Sequence, residues 1–168
     1  HPVVCQLGGN DPLTMGQAAK VCQEVGYDED NVNCGCPSNK VVKGAFGAIL
    51  MKDPELVARI VAEMRKQVTI PVTVKCRLGV DELDQWENIE HFIRTVSEQS
   101  GCTKFIIHAR KAHLKGLNPK QNRTIPPLKY PWVFQLKQTF PHLHFVINGG
   151  FSDCEKVVDI LSNDHPLR

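Results

Sequence analysis

Short β-branched runs, each followed by a stretch of helical periodicity, recur along this 168-residue chain and limit its fold more than any other feature. "VVCQL" (3–7) reads as a strand and "MGQAAKVCQEV" as a helix stopped by Gly26. "DNVNC" (30–34) is a second strand. Asp53, Pro54 and Glu55 then supply an N-cap, a first-turn proline and a first-turn acid. The helix they open places Leu56, Val57, Ile60, Val61 and Met64 on one face. "PVTVKC" (71–76) is a third strand, and residues 84–100 carry Ile89, Phe92, Ile93 and Val96 at helical spacing up to Gly101. "KFIIH" (104–108) is a fourth strand, followed by a long loop and a helix near 131–139. "HFVIN" (144–148) is a fifth. Ser152 and Glu155 stand in capping-box register before a last helix with Val157, Val158, Ile160 and Leu161.

Strand starts fall roughly 27–42 residues apart, the scale of repeated βα units. The strands read as apolar with little alternation, as expected of a parallel sheet covered on both faces. Two closures fit, an open doubly wound sheet or part of a (β/α)8 barrel. "QLGGND" after the first strand does not make the G-x-G-x-x-G turn of a dinucleotide fold. Gln6, Asn33, Lys75, Arg77, His108, Arg110 and Asn148 all fall at or just past the C-terminal ends of different strands. Barrel enzymes assemble their sites at that rim, so a partial barrel of about five βα units is the expected fold.

Composition bounds the rest. Apolar residues at 42 % and charged residues at 23 % are ordinary for one globular domain with a real core. No apolar run approaches the ~20 residues of a membrane span. The first residue is His1, so the chain is expected to be an excerpt in which any targeting segment is not visible. Seven scattered cysteines, several in apolar settings, point to reduced thiols inside a cell, in cytoplasm or organelle. The net charge of +2 hides an asymmetry: residues 99–152 carry 8 basic and no acidic side chains. Such a window is either a solvated basic face or a surface for nucleic acid.

Within "NVNCGCPSNK" (31–40) two cysteines stand two residues apart. No second pair and no H-x3–5-H follows, so no metal is expected there, and a disulfide at that spacing is strained. Cys34 is still in the strand, where a small buried hydrophobe is the ordinary role. Cys36 lies past the strand end, between Gly35, which lets backbone approach a ligand, and Pro37, which stiffens the turn. A free thiol has a pKa near 8.5, so Cys36 is a proton donor untuned, or a nucleophile if a cation lowers its pKa. Lys75, Arg77 and His108 are the candidate cations. "INGG" (147–150) would suit a phosphate through exposed backbone amides, or is an ordinary turn.

With "NVNCGCPS", "KGAFGAILM", "PVTVKCRLGVD", "FIIHARKAHLKGLNPKQNRTIPPLKY" and "VINGG" in order, the chain resembles the tRNA-dihydrouridine synthase family, flavin enzymes on a TIM barrel. The long fourth segment looks like the A-type subfamily, which acts on D-loop uridines at tRNA positions 20 and 20a. The resemblance implies reduction of the uracil C5–C6 double bond, with FMN as cofactor, NADPH as reductant, hydride to C6 and a proton from Cys36 to C5. It assigns Gln6, Lys75, His108, Asn148, Gly149 and Gly150 to FMN. It places Asn33 and Arg77 by the flavin and the target uracil, with Lys75 possible for both. The uracil would leave its stack to react. Arg110, Lys111, Lys115, Lys120 and Arg123 are then the candidates for tRNA phosphates.

On the family's layout the chain covers strands three to seven. One incomplete FMN-binding domain over 1–168 is expected, without the first A-P-M strand, the glycine-rich phosphate loop after "INGG", or the C-terminal helical domain that grips tRNA. The full-length protein would be a monomer with no membrane segment. Two other readings stand: an inactive RNA-binding remnant, or another flavin-barrel oxidoreductase with a small substrate, against which the acid-free loop argues. An open arc is also expected to bare an apolar barrel interior and to be poorly soluble.

Overall fold

The computed structural model describes residues 2–162. Five strands form one sheet: β1 (Val4–Leu7), β2 (Glu29–Cys34), β3 (Val72–Arg77), β4 (Lys104–His108) and β5 (His144–Asn148). Every neighbouring pair is parallel, and spatial order equals chain order. A doubly wound sheet reverses its order at a switch point, and this one never does. The sheet is a five-strand arc of a (β/α)8 barrel.

The helices are α1 (Pro12–Val25), α2 (Asn39–Lys43), α3 (Pro54–Gln67), α4 (Trp86–Ser100), α5 (Tyr130–Thr139) and α6 (Cys154–Leu161). α1 packs on α3 and α3 on α4, in one layer. Trp86 meets Trp132 edge-on at 6.1 Å, which joins α4 to α5. The starts are written locally. Asp11 and Asp53 each accept a hydrogen bond from the amide three residues on, Thr14 at 2.8 Å and Leu56 at 2.9 Å, ahead of Pro12 and Pro54. At α6 the capping box of Ser152 and Glu155 is replaced. Asp153 is the N-cap and accepts from Lys156 N at 2.8 Å, while Ser152 donates to its carboxylate. A carboxylate there also gains from the helix dipole. Of the apolar residues the last helix carries, Val157 and Val158 are exposed and Ile160 is buried. The side chain of Leu161 lies outside the described part.

The two faces of the sheet differ sharply. Val32, Cys34, Val74, Cys76, Phe105 and Ile107 point outward and are wholly buried. Val57, Ile60, Val61 and Met64 of α3 join the same core, as do Ile89, Phe92, Ile93 and Val96 of α4; Leu56 is only partly buried. The alternate residues form the concave inner face, and they are mostly polar. A chain of contacts crosses it. Lys104 pairs with Glu29 at 2.7 Å, and Thr73 donates to Glu29 at 2.7 Å. Asn31 donates to Thr73 at 2.9 Å, and Gln6 to Asn31 at 2.8 Å. The expected apolar interior is therefore wrong. "VTVKC" does alternate, with Thr73 and Lys75 turned inward, and the apolar side chains on the inner face are Val4, Ile106 and Val146. No helix among the described residues is long and apolar enough to cross a membrane.

Candidate active site

The strand ends converge on a cleft of about 250 Å³. Gln6 reaches it from β1, Lys75 and Arg77 from β3, His108 from β4 and Asn148 from β5. Asn33 is the penultimate residue of β2, Cys36 and Pro37 follow the strand, and Arg123 and Pro119 enter from the loop after β4.

The Cys36 loop is pinned on three sides. Asn33 Oδ1 accepts from the amides of Gly35 and Cys36, both at 3.1 Å. Arg77 Nε donates to the carbonyl of Gly35 at 2.9 Å. The carbonyl of Cys36 accepts from Ala48 N at 2.9 Å. That last contact needs Gly47, whose φ is +73° and whose Cβ, if present, would sit 2.6 Å from the Cys36 oxygen. Gly35 is less demanding than its place beside Cys36 suggests: a Cβ there would make an ordinary 3.6 Å contact with the Lys75 carbonyl. The Cys36 Sγ lies 3.5 Å from Ser38 Oγ. Cys34 faces the helices instead, and burial holds its thiol far above the usual range.

Lys75, Arg77 and His108, three of the four basic side chains that border the cleft, are altered by their surroundings. Burial, and then the cations Arg77, Lys75, Arg110 and Arg123, push His108 down to about 4, so its ring is neutral at neutral pH. Burial also lowers Lys75, whose Nζ donates to Asn148 Oδ1 at 3.2 Å. Arg77 falls to about 10 through burial and the neighbouring Arg110 and Arg123, and stays charged at neutral pH. Its Nη1 donates to the carbonyls of Lys111 at 3.2 Å and Asn122 at 2.8 Å. Arg77 therefore clamps the Cys36 loop to the loop after β4 while it lines the cleft.

At the end of β5, Gly149 and Gly150 have φ of +100° and +76°. Neither amide donates to a carbonyl among the described residues. A Cβ on Gly149 would lie 3.0 Å from the His108 ring, which keeps that position a glycine.

The basic window is less free than its sequence implies. Lys104 pairs with Glu29, and Lys111 and Lys129 pair with Asp84 at 3.2 and 2.9 Å. Lys137 donates to the carbonyls of Pro141 and Leu143, and Arg110 to that of Pro126. Lys115, Lys120 and Arg123 are exposed and form no ion pair among the described residues. Arg110 and Lys111, expected on phosphates, are thus engaged within the protein.

The sequence profile of the dihydrouridine synthase (Dus) family matches residues 1–164. The chain belongs to that family. It is 54% identical over 156 residues to tRNA-dihydrouridine(20/20a) synthase of Vibrio cholerae, covering 93% of this chain and 48% of that protein. The same-named protein of Escherichia coli (strain K12) is 56% identical over 156 residues, 93% of this chain and 45% of its own length. That of Synechocystis sp. is 52% identical over 162 residues, 96% and 48%. The chain spans about half the length of the curated relatives it matches.

Beside the cleft of this family member runs a second groove, of about 370 Å³. Pro37 and Pro119 border both. Asn39, at the start of α2, lines one side, and Gly116, Asn118 and Gln121 line the other. Lys40 and Lys43 on α2 are exposed, so cations flank the groove on the Cys36 side too. Sequence reasoning missed Ser38, Asn39 and Lys40, although "CPSNK" places them directly after Cys36, and Lys43 one turn further on. It also missed Asn122, whose importance lies wholly in hydrogen bonds that no pattern marks.

Proposed function

We propose that the whole protein reduces uridine to 5,6-dihydrouridine in the D-loop of tRNA, at positions 20 and 20a, with FMN as cofactor and NADPH as reductant. The names of its relatives support the reaction. The observation that carries it is the Cys36 thiol on a pinned loop above a floor of Lys75, His108 and Asn148.

The donor set suits a flavin mononucleotide. Gln6, Lys75 and Asn148 offer hydrogen bonds to a polar ring edge, and His108 offers an uncharged imidazole whose Nδ1 is buried without a partner among the described residues. The free amides of Gly149 and Gly150 suit a phosphate. When bound, FMN would supply the hydride that reaches uracil C6. Cys36 gives its proton to C5, which balances the addition across the double bond. Asn33 fixes the amide of Cys36 and so sets where the thiol points. Ser38 Oγ, 3.5 Å from Sγ, offers the thiolate a hydrogen-bonded route for recovering a proton. The uracil enters unstacked, because no duplex or stacked loop could place its face in so narrow a cleft. Lys115, Lys120 and Arg123 hold backbone phosphates.

Two measurements test the reading. The purified protein is expected to show flavin absorbance, and a colourless protein that still binds tRNA marks an RNA-binding remnant instead. Cys36→Ala is expected to keep flavin and lose at least ~100-fold in dihydrouridine formed at positions 20 and 20a, read by mass spectrometry of the tRNA. Full activity in that variant removes Cys36 as the acid.

A further inference from the structure

On the outer face of the sheet, away from the cleft, three metal-binding side chains meet where the layer is otherwise apolar. Cys5 of β1 and Asp30 of β2 are register partners across the strand pair. Cys22 of α1 sits over them with its Sγ 3.0 Å from the Sγ of Cys5. One ligand atom from each of the three lies within 4.8 Å of the others. Asp30 is 0% exposed, yet among the described residues neither carboxylate oxygen has a hydrogen-bond partner of normal geometry, the Cys22 thiol being its polar neighbour. None of the ion pairs among the described residues includes it. A carboxylate so placed needs either a cation or a retained proton.

We propose that Cys5, Cys22 and Asp30 form a zinc-class metal site that staples the first βαβ unit. Two sulfurs and one carboxylate are a mixed set. Copper(I) favours all-sulfur sites and magnesium or calcium all-oxygen ones, while Zn²⁺ accepts both donors. Three protein ligands leave a fourth tetrahedral position for a solvent oxygen. Zn–S bonds of about 2.3 Å set two sulfurs about 3.7 Å apart, so the pair opens by under about 1 Å on loading. Cys5 has room for that shift, being half-buried on an edge strand. Burial pushes the Asp30 carboxyl up and the Cys22 thiol up to about 12, so a metal ion bound there displaces protons from both. The ion then ties β1, α1 and β2 together. The site is independent of the proposed reaction.

The test uses the purified full chain, reduced and stripped with chelator, then titrated with Co²⁺ and Zn²⁺. One equivalent of Co²⁺ is expected to give thiolate charge-transfer absorbance and the visible bands of a tetrahedral ion, both abolished by Zn²⁺. Zn²⁺ is expected to shield two of the seven cysteines from a thiol reagent. Cys22→Ser and Asp30→Asn should each weaken Zn²⁺ by more than ~100-fold, beyond the loss typical of an outer-shell partner. If a variant fails to fold, the thiol count on the wild-type chain decides: two protected supports the site, none overturns it. A cobalt spectrum that persists in the Cys5→Ser, Cys22→Ser double variant also overturns it. So does a Cys5–Cys22 disulfide that, once reduced, takes up no metal.

Discussion

Asn122 shows how one side chain can organise a loop and a site together. Fully buried, it accepts from His113 N at 2.8 Å and donates to the carbonyls of His113 at 3.0 Å and Leu117 at 3.1 Å. Its own carbonyl receives Arg77. Asn122→Ala leaves those groups unpaired inside the protein and is expected to cost ~2–4 kcal/mol in urea unfolding. A change under ~0.5 kcal/mol would show that the loop holds without it. His108 carries a pH signature. Its folded pKa of about 4 lies below the ordinary value of 6.5, so between the two the unfolded chain binds a proton that the native chain does not. Stability therefore rises with pH across that window and is lost as pH falls towards 4, by up to ~3 kcal/mol. His108→Gln should flatten that acid limb in melts taken from pH 4 to 7, and an unchanged limb would assign it to other groups.

At the scale of elements, the segment between β2 and α3 decides where the thiol sits. It folds as the short α2 and a 3-10 turn over Gly47–Lys52. No periodicity announces these pieces, because each is too short to show a repeat. The strands were legible: "KFIIH" and "HFVIN" match β4 and β5 residue for residue. The Cys36 loop was legible in place but not in cause, since Gly35 drew attention and Gly47 carries the constraint. Gly47→Ala drives a methyl against Val41 and the Cys36 carbonyl, in a backbone region that alanine rarely adopts. It is expected to cost ~1–3 kcal/mol and to change the alkylation rate of Cys36 several-fold, whereas Gly35→Ala changes both much less. Equal effects would remove Gly47 as the support of the loop.

At the scale of the molecule, charge is redistributed by folding. The acid-free window finds its acids elsewhere in the chain: Glu29 lies 75 residues from Lys104, and Asp84 lies 45 from Lys129. Of the exposed cations in it that form no ion pair among the described residues, Arg123 lines the cleft, and Lys115 and Lys120 adjoin in sequence the groove residues Gly116 and Pro119. tRNA binding should therefore weaken steeply between ~50 and ~200 mM salt. Replacing Lys115, Lys120 and Arg123 by alanine should each reduce the log–log slope by up to ~1, while Lys137→Ala leaves it unchanged. Fluorescence anisotropy of labelled tRNA reads these slopes, and a flat salt dependence would remove this face as the RNA surface. The expected insolubility rested on an apolar interior, and the concave face is instead hydrogen-bonded and ionic.

The sequence by itself determined the succession of βα units, and with it the residues that stand at strand ends. Periodicity and caps act over a few residues, so Gln6, Asn33, Cys36, Lys75, His108 and Asn148 could be placed at one rim before any contact was known. Only the tertiary structure decided which face of each strand turns inward, which cations are free, and that Cys5, Cys22 and Asp30 meet. Those outcomes depend on pairings between residues far apart in the chain, where burial and electrostatics act through space and leave no local pattern to read.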